Sequence, residues 1–204
     1  MLNIAVLVSG GGTNLQALID AQAAGTLHSG RLALVVSSKP GAYALERAEK
    51  ARIPAQVCSK RVLGSQKAFE EAIQHALAEH EIHVLVLAGF LSILSEDFTR
   101  RWPGRILNVH PSLIPAFCGK GMYGLKVHEA ALQRGVKVTG ATVHLVNEIP
   151  DGGPILLQRA VEILPEDTPE SLQKRVMEQA EWVLLPQAAE LAAAQIVKEK
   201  ENTP

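Results

Sequence analysis

The sequence has little of several features that mark large classes of proteins. It contains only two cysteines, Cys58 and Cys118, which are far apart and in no CxxC arrangement, so they give neither a disulfide framework nor a zinc knuckle and fit a reducing compartment. Its 20 Lys and Arg and 21 Asp and Glu leave a net charge of −1, so no basic surface argues for nucleic acid. No apolar run reaches the roughly 20 residues that span a bilayer, so we expect no membrane partner.

What the chain does have is the composition and length of one globular domain. Apolar residues make up 47% and charged residues 20% of its 204 residues, which is typical of a protein with a buried core. The first residues, Met1 to Ile4, lack the basic region and cleavage site of a signal peptide. We therefore expect a cytoplasmic protein whose residues 1–204 form a single domain.

The first candidate site is a glycine loop between a strand and a helix. The apolar run at residues 2–8 is typical of a parallel strand covered on both faces, and residues 9–14 add three glycines before a helix that begins near Leu15. In this arrangement, the backbone N–H groups of the loop and of the first turn of the helix can point at a phosphate. The loop has no Lys for an ATP-binding Walker motif, and Leu15 replaces the third glycine of a dinucleotide motif. The loop therefore suits binding of a single phosphate. The alternative interpretation is an ordinary tight turn between a strand and a helix, without a ligand.

Further strand and helix patterns alternate along the chain. Apolar runs predict strands over residues 31–36, 53–57, 83–88, 105–107, 137–146 and 154–163. Apolar stripes and caps predict helices over residues 42–51, 65–80, 125–133 and 168–182, the last with Thr168 as its cap. Pro186 is expected to kink or divide the C-terminal helical region. The loop at residues 147–153 is so short that its flanking strands must be antiparallel. The pattern predicts a doubly wound α/β fold with a mostly parallel, Rossmann-like sheet and an antiparallel C-terminal strand pair.

The second candidate site follows the strand at residues 105–107. Asn108 and His110 stand two residues apart at its tip, so both side chains leave the strand on one face. An amide and an imidazole supply a hydrogen-bond donor and a titratable proton carrier. A carboxylate, Asp151, lies in the loop before the last strand. The ordinary alternatives are a strand end with a satisfied polar pair and, for Asp151, an Asp-Gly-Gly turn.

Five segments, in this order along almost the whole chain, together resemble the folate-dependent formyltransferases. They are Ser-Gly-Gly-Gly-Thr-Asn-Leu-Gln-Ala at residues 9–17, Leu-Ala-Gly-Phe-Leu-Ser-Ile-Leu at 87–94, Asn-Val-His-Pro-Ser-Leu-Ile-Pro at 108–115, Val-Thr-Gly-Ala-Thr-Val-His at 138–144 and Asp-Gly-Gly-Pro-Ile at 151–155. Each segment is modest alone, but the set is specific. The resemblance is strongest to the members that formylate glycinamide ribonucleotide in de novo purine biosynthesis.

The resemblance implies a reaction and the residues that perform it. A formyl group passes from N10 of 10-formyltetrahydrofolate, a co-substrate, to the glycyl amine of glycinamide ribonucleotide, with no metal and no covalent enzyme intermediate. Asn108 and a protonated His110 are implied to donate to the oxyanion, with His110 as the proton carrier and Asp151 as the carboxylate that favours its charged form. The sequence leaves open whether the protein is a homodimer.

The resemblance also implies two binding regions, with the nucleotide phosphate held by about residues 1–100 and the folate by about residues 101–204. The residues implied to bind the nucleotide are Gly11, Gly12, Thr13, Asn14 and Glu181, the last through the ribose hydroxyls. The residues implied to line the folate pocket are Leu91, Ser92, Ile93, Leu94 and Asn147. These regions are expected to meet at the catalytic residues.

Some positions depart from the family pattern or are peculiar to this chain. Ser92 and Gln66 stand where well-known members carry arginine, so neither is carried over as a charged contact to a ligand. The loop at residues 116–124 has three glycines and is expected to be mobile, with Lys120 in solvent rather than on an anionic ligand. The family turns sharply at residues 114–115, which predicts a cis Ile114–Pro115 peptide bond.

Three other functions remain as alternatives. Methionyl-tRNA formyltransferases add a C-terminal RNA-binding domain and carry Arg-Trp-Arg-Gly where this chain, which ends at Pro204, has Ala-Phe-Cys-Gly. Formyltetrahydrofolate hydrolases carry an extra N-terminal regulatory domain, whereas the first strand here starts at Leu2. Both are therefore disfavoured. A non-catalytic nucleotide- or folate-binding protein needs no proton carrier beside a carboxylate, so the presence of Asn108, His110 and Asp151 together argues against it.

Overall fold

A computed structural model describes residues 1–202 of the chain as an alternating series of strands and helices. The strands are β1 (Leu2–Val8), β2 (Gly30–Ser37), β3 (Ala55–Val57), β4 (Ile82–Leu87), β5 (Ile106–His110), β6 (Val138–Leu145) and β7 (Ile155–Glu162). The helices are α1 (Thr13–Ala23), α2 (Tyr43–Lys50), α3 (Lys60–Leu63), α4 (Gln66–Glu79), α5 (Glu96–Arg100), α6 (Leu125–Arg134), α7 (Pro169–Val176) and α8 (Trp182–Glu201). A π-helical segment (Met177–Glu181) joins α7 to α8.

The central strand β1 is covered on both faces. All 7 of its residues are buried. Its even-numbered residues belong to one hydrophobic cluster with residues of α1, α2, α7 and α8, whereas Ala5 and Leu7 belong to a second cluster with residues of α4 and α5. Because successive side chains of a strand point to opposite faces, helices cover the sheet on both sides. This confirms the doubly wound α/β fold.

The sheet has the order β3-β2-β1-β4-β5-β6-β7. Neighbouring strands from β3 to β5 are parallel, while β6 is antiparallel to both β5 and β7. The expected antiparallel C-terminal pair is confirmed, and the reversal extends to the contact between β5 and β6. The chain order changes direction at β1, which lies between β2 and β4. In open parallel sheets, ligands bind beside such a switch point, outside the carboxyl ends of the strands.

Two expectations from the sequence are wrong in detail. The strand predicted over residues 53–57 covers only Ala55–Val57 at the sheet edge, since Pro54 has no N–H to donate to a ladder. Pro186 does not divide the C-terminal helix: α8 continues through it, and the irregular turn comes earlier, in the π-helical segment. There the N–H of Trp182 donates to the carbonyl of Met177, five residues back, so the bonding register shifts ahead of the proline.

Two local predictions are confirmed by the backbone. The Ile114–Pro115 peptide bond is cis. Thr168 caps α7, since its side chain accepts the N–H of Ser171 and Pro169 occupies the first turn. Within the part of the chain that the structure describes, no helix is both long and apolar enough to cross a bilayer.

The connection between β7 and α7 is fixed by an ion pair between a buried carboxylate and a partly exposed arginine. The Asp167 carboxylate accepts two hydrogen bonds from Arg175, at 2.5 and 2.6 Å, and further bonds from the Leu164 N–H and the Ser171 hydroxyl. Its side chain is 1% exposed. The bonds from Arg175 hold the pKa of Asp167 well below its ordinary value, so the carboxylate is charged in the folded protein.

Replacing Asp167 with asparagine should therefore lower the free energy of unfolding by about 2 kcal/mol at neutral pH, because Arg175 loses its charged partner but its side chain, 20% exposed, still contacts solvent. Urea unfolding measures this, with Asp20→Asn as the control, since exposed Asp20 contacts only Gln16 through its side chain in the described residues. The pKa of Asp167 is lower in the folded protein than its value of about 4 in the unfolded chain, so the carboxylate stabilises the fold above about pH 4. The difference in unfolding free energy between the wild type and the variant should shrink as the pH falls below that value. If Asp167→Asn lowered the free energy of unfolding no more than Asp20→Asn does, the ion pair would not stabilise the fold.

Candidate active site

A cavity of about 670 Å³ opens at the carboxyl edge of the sheet, beside β1, β4 and β5. Its walls come from the glycine loop after β1, a lip after β4 (residues 89–94), the tip of β5, the loop at residues 119–124 and the π-helical segment. This volume suits a small-molecule ligand. A smaller cavity of about 420 Å³ lies at the opposite edge of the sheet, around Asn3 and Arg31, and contains none of the candidate residues.

The tip of β5 brings together the polar residues that the sequence singled out. Asn108 lies opposite His144 in the antiparallel register of β5 and β6. The Asn108 Nδ2 atom is 3.1 Å from His144 Nε2 and 3.5 Å from Asp151 Oδ1. The His110 Nδ1 atom is 3.6 Å from Asp151 Oδ2. An amide, two imidazoles and a carboxylate therefore form one cluster beside the cavity.

Asp151 is the shared partner in this cluster. Its backbone is left-handed, with φ of 56°, and its side chain is 13% exposed. The Gly119 N–H donates to Asp151 Oδ2 at 2.8 Å. Burial alone would raise the pKa of Asp151, but interactions with His144, the Gly119 N–H and His110 outweigh it, so the pKa lies below the ordinary carboxyl value. Asp151 is therefore negatively charged at neutral pH.

Backbone carbonyls orient both histidine rings. Since a carbonyl oxygen can only accept, His110 Nε2 donates to Phe117 O and His144 Nδ1 donates to Leu145 O, each at 2.9 Å. The other nitrogen of each ring faces Asp151, at 3.6 Å for His110 and 3.5 Å for His144. Both rings are almost fully buried. The arrangement fixes the ring of His110 so that it can hold or move a proton beside the carboxylate.

The glycine loop forms a second wall. Gly12 is left-handed, with φ of 72°, and precedes α1, whose first turn has no side-chain cap. The first N–H groups of such a helix are available to an anion. Helix α2 supports the loop, because the Ala44 N–H donates to Gly10 O at 3.1 Å and Arg47 Nε donates to Gly11 O at 2.8 Å. The loop therefore has a fixed shape that suits a phosphate.

Changing Gly12 to alanine should destabilise the protein more than changing Gly25 to alanine. Both glycines are left-handed, so alanine costs about 1–2 kcal/mol of backbone strain at either position. At Gly12 an added Cβ would also lie 2.7 Å from the Ala44 Cβ, whereas at Gly25 it would meet no atom within 4 Å. We expect about 1–3 kcal/mol of additional loss for Gly12→Ala in urea unfolding. Equal losses of unfolding free energy in the two variants would show that α2 can move away from the loop without destabilising the protein.

A buried polar pair forms the third wall. Asn14 Nδ2 donates to Glu181 Oε2 at 2.7 Å. Burial raises the pKa of Glu181, and the hydrogen bond from Asn14 opposes part of that change. The π-helical turn presents both Met177 and Glu181 to the cavity, and the Thr13 hydroxyl contacts the Met177 sulfur at 3.9 Å. Single π turns within helices are frequent at functional sites.

Comparison with known proteins identifies the family. A family model described as formyl transferase matches residues 2–188. The chain belongs to the formyl transferase family. Phosphoribosylglycinamide formyltransferase from Haemophilus influenzae is 42% identical over 179 residues, which cover 88% of this chain and 82% of that protein. The crystal structure of glycinamide ribonucleotide transformylase 1 from Symbiobacterium toebii is 40% identical, with a TM-score of 0.89, and covers 96% of this chain and 89% of that chain.

Other relatives in the formyl transferase family are much longer. The trifunctional purine biosynthetic protein adenosine-3 of Gallus gallus is 43% identical over 197 residues, which are 97% of this chain but 19% of that protein. This chain therefore spans about a fifth of the length of these relatives. The family match confirms the resemblance inferred from the five sequence segments.

Most of the residues implied by the family resemblance lie around one cavity. Those that line it are Gly11, Gly12, Thr13, Asn14, Leu91, Ile93, Asn108, His110, Asp151 and Glu181. Ser92, Leu94 and Asn147 do not. Leu94 packs against the second hydrophobic cluster, and Asn147 Oδ1 accepts the N–H of Ile149. Leu91 and Ile93 line the cavity, whereas Ser92 between them lies at a bend of the chain and does not line it.

The lip is held from behind by residues of α4. Gln66 Nε2 donates to the Ile93 carbonyl at 3.0 Å and to Glu70 Oε1 at 2.5 Å. Glu70 in turn accepts the N–H and the hydroxyl of Ser95. Gln66 therefore supports the backbone of the lip.

Several residues beside the cavity were not predicted as site residues. His144 is part of a quoted family segment, but its contact with Asn108 depends on the register of β5 and β6. His128 lies on the buried face of α6, and Lys120, expected in solvent, is exposed but lines the cavity. Gln173 of α7 also lines it. Within residues 1–202, no three His, Cys, Asp or Glu side chains are grouped so that they could hold a metal ion.

Proposed function

We propose that this protein transfers the formyl group of 10-formyltetrahydrofolate to the glycyl amine of glycinamide ribonucleotide, as phosphoribosylglycinamide formyltransferase of purine biosynthesis. The observation that carries the proposal is the meeting of Asn108, His110 and Asp151 beside a cavity whose other wall is a glycine loop. A relative with that name matches this chain over 82% of its own length, which supports the proposal.

The proposed reaction begins with attack of the amine nitrogen on the formyl carbon. A carbon–nitrogen bond forms, and the carbonyl oxygen becomes an oxyanion in a tetrahedral intermediate. The Asn108 amide and a protonated His110 donate hydrogen bonds to this oxygen, and one well-placed donor is worth about 3 kcal/mol. Asp151 supplies the negative charge that supports the protonated ring.

The intermediate breaks down when the bond between the formyl carbon and N10 of the folate is cleaved. The attacking nitrogen must lose a proton, and the departing N10 must gain one. His110, directly or through a water molecule, moves this proton from one nitrogen to the other. The products are the formylated nucleotide and tetrahydrofolate, and neither a metal nor a covalent enzyme intermediate takes part in this scheme.

The two substrates are assigned to different walls of the cavity. The nucleotide phosphate binds the first N–H groups of α1 at Gly12 and Thr13, and Glu181 binds the ribose hydroxyls. The folate binds against the apolar lip at Leu91 and Ile93 and next to Asp151. Each half of the chain contributes to both regions, since the lip precedes residue 100 and Glu181 follows it, so the single domain acts as one unit. We also infer a cytoplasmic location, supported by two free cysteines, Cys58 and Cys118.

The test is release of tetrahydrofolate from 10-formyltetrahydrofolate, followed by absorbance with and without glycinamide ribonucleotide. We expect release only when the nucleotide is present. Release without the nucleotide would instead identify a hydrolase. No release, with both ligands shown to bind by calorimetry, would identify a non-catalytic binding protein.

A further inference from the structure

His128 on α6 is a buried histidine whose ring nitrogens have no hydrogen-bond partner among residues 1–202. It is 0% exposed, and within the described residues neither Nδ1 nor Nε2 has a partner. Buried polar groups in folded proteins nearly always have one, so an unpartnered pair of ring nitrogens requires an explanation. The residue also lines the cavity that contains Asn108 and His110. A missing partner at a cavity wall can be supplied by a ligand.

The surroundings of His128 keep its ring neutral. Burial and, to a smaller extent, the charge of the neighbouring His110 lower the pKa of His128 to about 4. At neutral pH the ring therefore has one N–H donor and one acceptor nitrogen. A partner that both donates and accepts, such as a hydroxyl or an amide, satisfies both nitrogens better than a phosphate does.

The position of His128 indicates which ligand carries that group. It shares the cavity with Gln173 of α7 and with Gly12 and Glu181, and the last two are assigned above to the nucleotide. Helix α6 packs on α7, so His128 belongs to this side of the cavity rather than to the apolar lip. Its neighbour His110 marks the place where the amine reacts.

We propose that His128 binds glycinamide ribonucleotide directly, through hydrogen bonds from its neutral imidazole to a hydroxyl or amide group between the phosphate and the reacting amine. This inference rests on the proposed function of the same cavity. The two imidazoles then have different roles, because His128 holds the substrate while His110 moves the proton.

The first test compares three variants by calorimetry and steady-state kinetics. His128→Phe keeps a flat aromatic ring but removes both hydrogen bonds, so the Kd for glycinamide ribonucleotide should rise about 10- to 100-fold while the Kd for 10-formyltetrahydrofolate stays within about twofold. His128→Asn, which retains a donor and an acceptor, should recover part of the nucleotide affinity. Val127→Ala perturbs packing at the neighbouring buried position of α6 and should leave both Kd values unchanged.

The second test uses the unaltered protein, so it does not depend on whether the variants fold. Nitrogen-15 NMR of the histidine rings should show a change in the His128 ring signals when glycinamide ribonucleotide is added, and none when 10-formyltetrahydrofolate is added alone. Unchanged His128 signals at saturating nucleotide would overturn the inference, as would wild-type nucleotide affinity in His128→Phe or an equal loss in Val127→Ala. Absence of nucleotide binding by the wild type would instead overturn the proposed function itself.

Discussion

Replacing His110 with alanine should lower kcat by about three orders of magnitude, because the proton carrier and one oxyanion donor are lost together. The Kd for glycinamide ribonucleotide should change by less than about threefold, since the phosphate and ribose contacts are assigned to the glycine loop and Glu181 rather than to this ring. The measurement is the rate of tetrahydrofolate release under saturating substrates, with the nucleotide Kd determined by calorimetry.

The control for His110→Ala is His75→Ala. The side chain of His75 is 74% exposed, on α4, where it contacts Glu79, and its loss should not alter turnover. His110 also donates to the Phe117 carbonyl, so thermal unfolding must show that the variant keeps its fold. Added imidazole should restore part of the rate if His110 carries a proton. Full turnover in His110→Ala would remove this residue from the mechanism.

The parts of the fold that the sequence predicts well are those with local causes. The apolar run at Leu2–Val8 demands burial on both faces, which only a central parallel strand satisfies. The two-residue spacing of Asn108 and His110 places both side chains on one side of β5 without knowledge of the neighbouring strands.

The parts that sequence reasoning missed depend on distant contacts. The proximity of His144 to Asn108 follows from the register of β6 on β5, which no local pattern specifies. The irregular turn was expected at Pro186, where proline chemistry indicates it, but it lies at Met177–Glu181, where it presents Glu181 to Asn14. His128 would have drawn attention only as a polar residue on the buried face of a helix, and its two unpartnered nitrogens become visible only in three dimensions.

Changing Asp151 to asparagine should lower kcat by about 100-fold or more with little change in either substrate affinity. The exchange is conservative for the backbone, because Asp151 has a φ of 56° and asparagine tolerates left-handed backbone as well as aspartate does. The amide oxygen can still accept the Gly119 N–H. The variant therefore loses the negative charge facing His110 and His144, and its NH2 group takes the place of the oxygen that accepts from the Asn108 amide. The control is Glu148→Gln, an exposed carboxylate of the same loop, which should keep full turnover.

The pH dependence of Asp151→Asn separates a catalytic from a purely structural role. The pKa of Asp151 is depressed in the folded protein, so its carboxylate stabilises the fold above the unfolded carboxyl pKa of about 4, and this contribution is lost as the pH falls below that value. Because two histidines are among the groups that lower this pKa, and histidine side chains can change charge between about pH 5 and 8, thermal unfolding should accompany each turnover measurement in this range. A wild-type turnover in the variant across this range would show that the charge is not required.

A double-mutant cycle then decides whether Asp151 acts through His110. If the carboxylate serves only to support the protonated ring, Asp151→Asn should cost little further activity in the His110→Ala background, because the group it supports is already gone. If the fold losses of kcat in the two single variants multiply in the double variant, Asp151 also acts independently of His110. The Asn108 amide offers such a route, since its Nδ2 atom lies 3.5 Å from Asp151 Oδ1. The first result is the expected one, because Asp151 Oδ2 lies 3.6 Å from Nδ1 of His110, the proposed proton carrier.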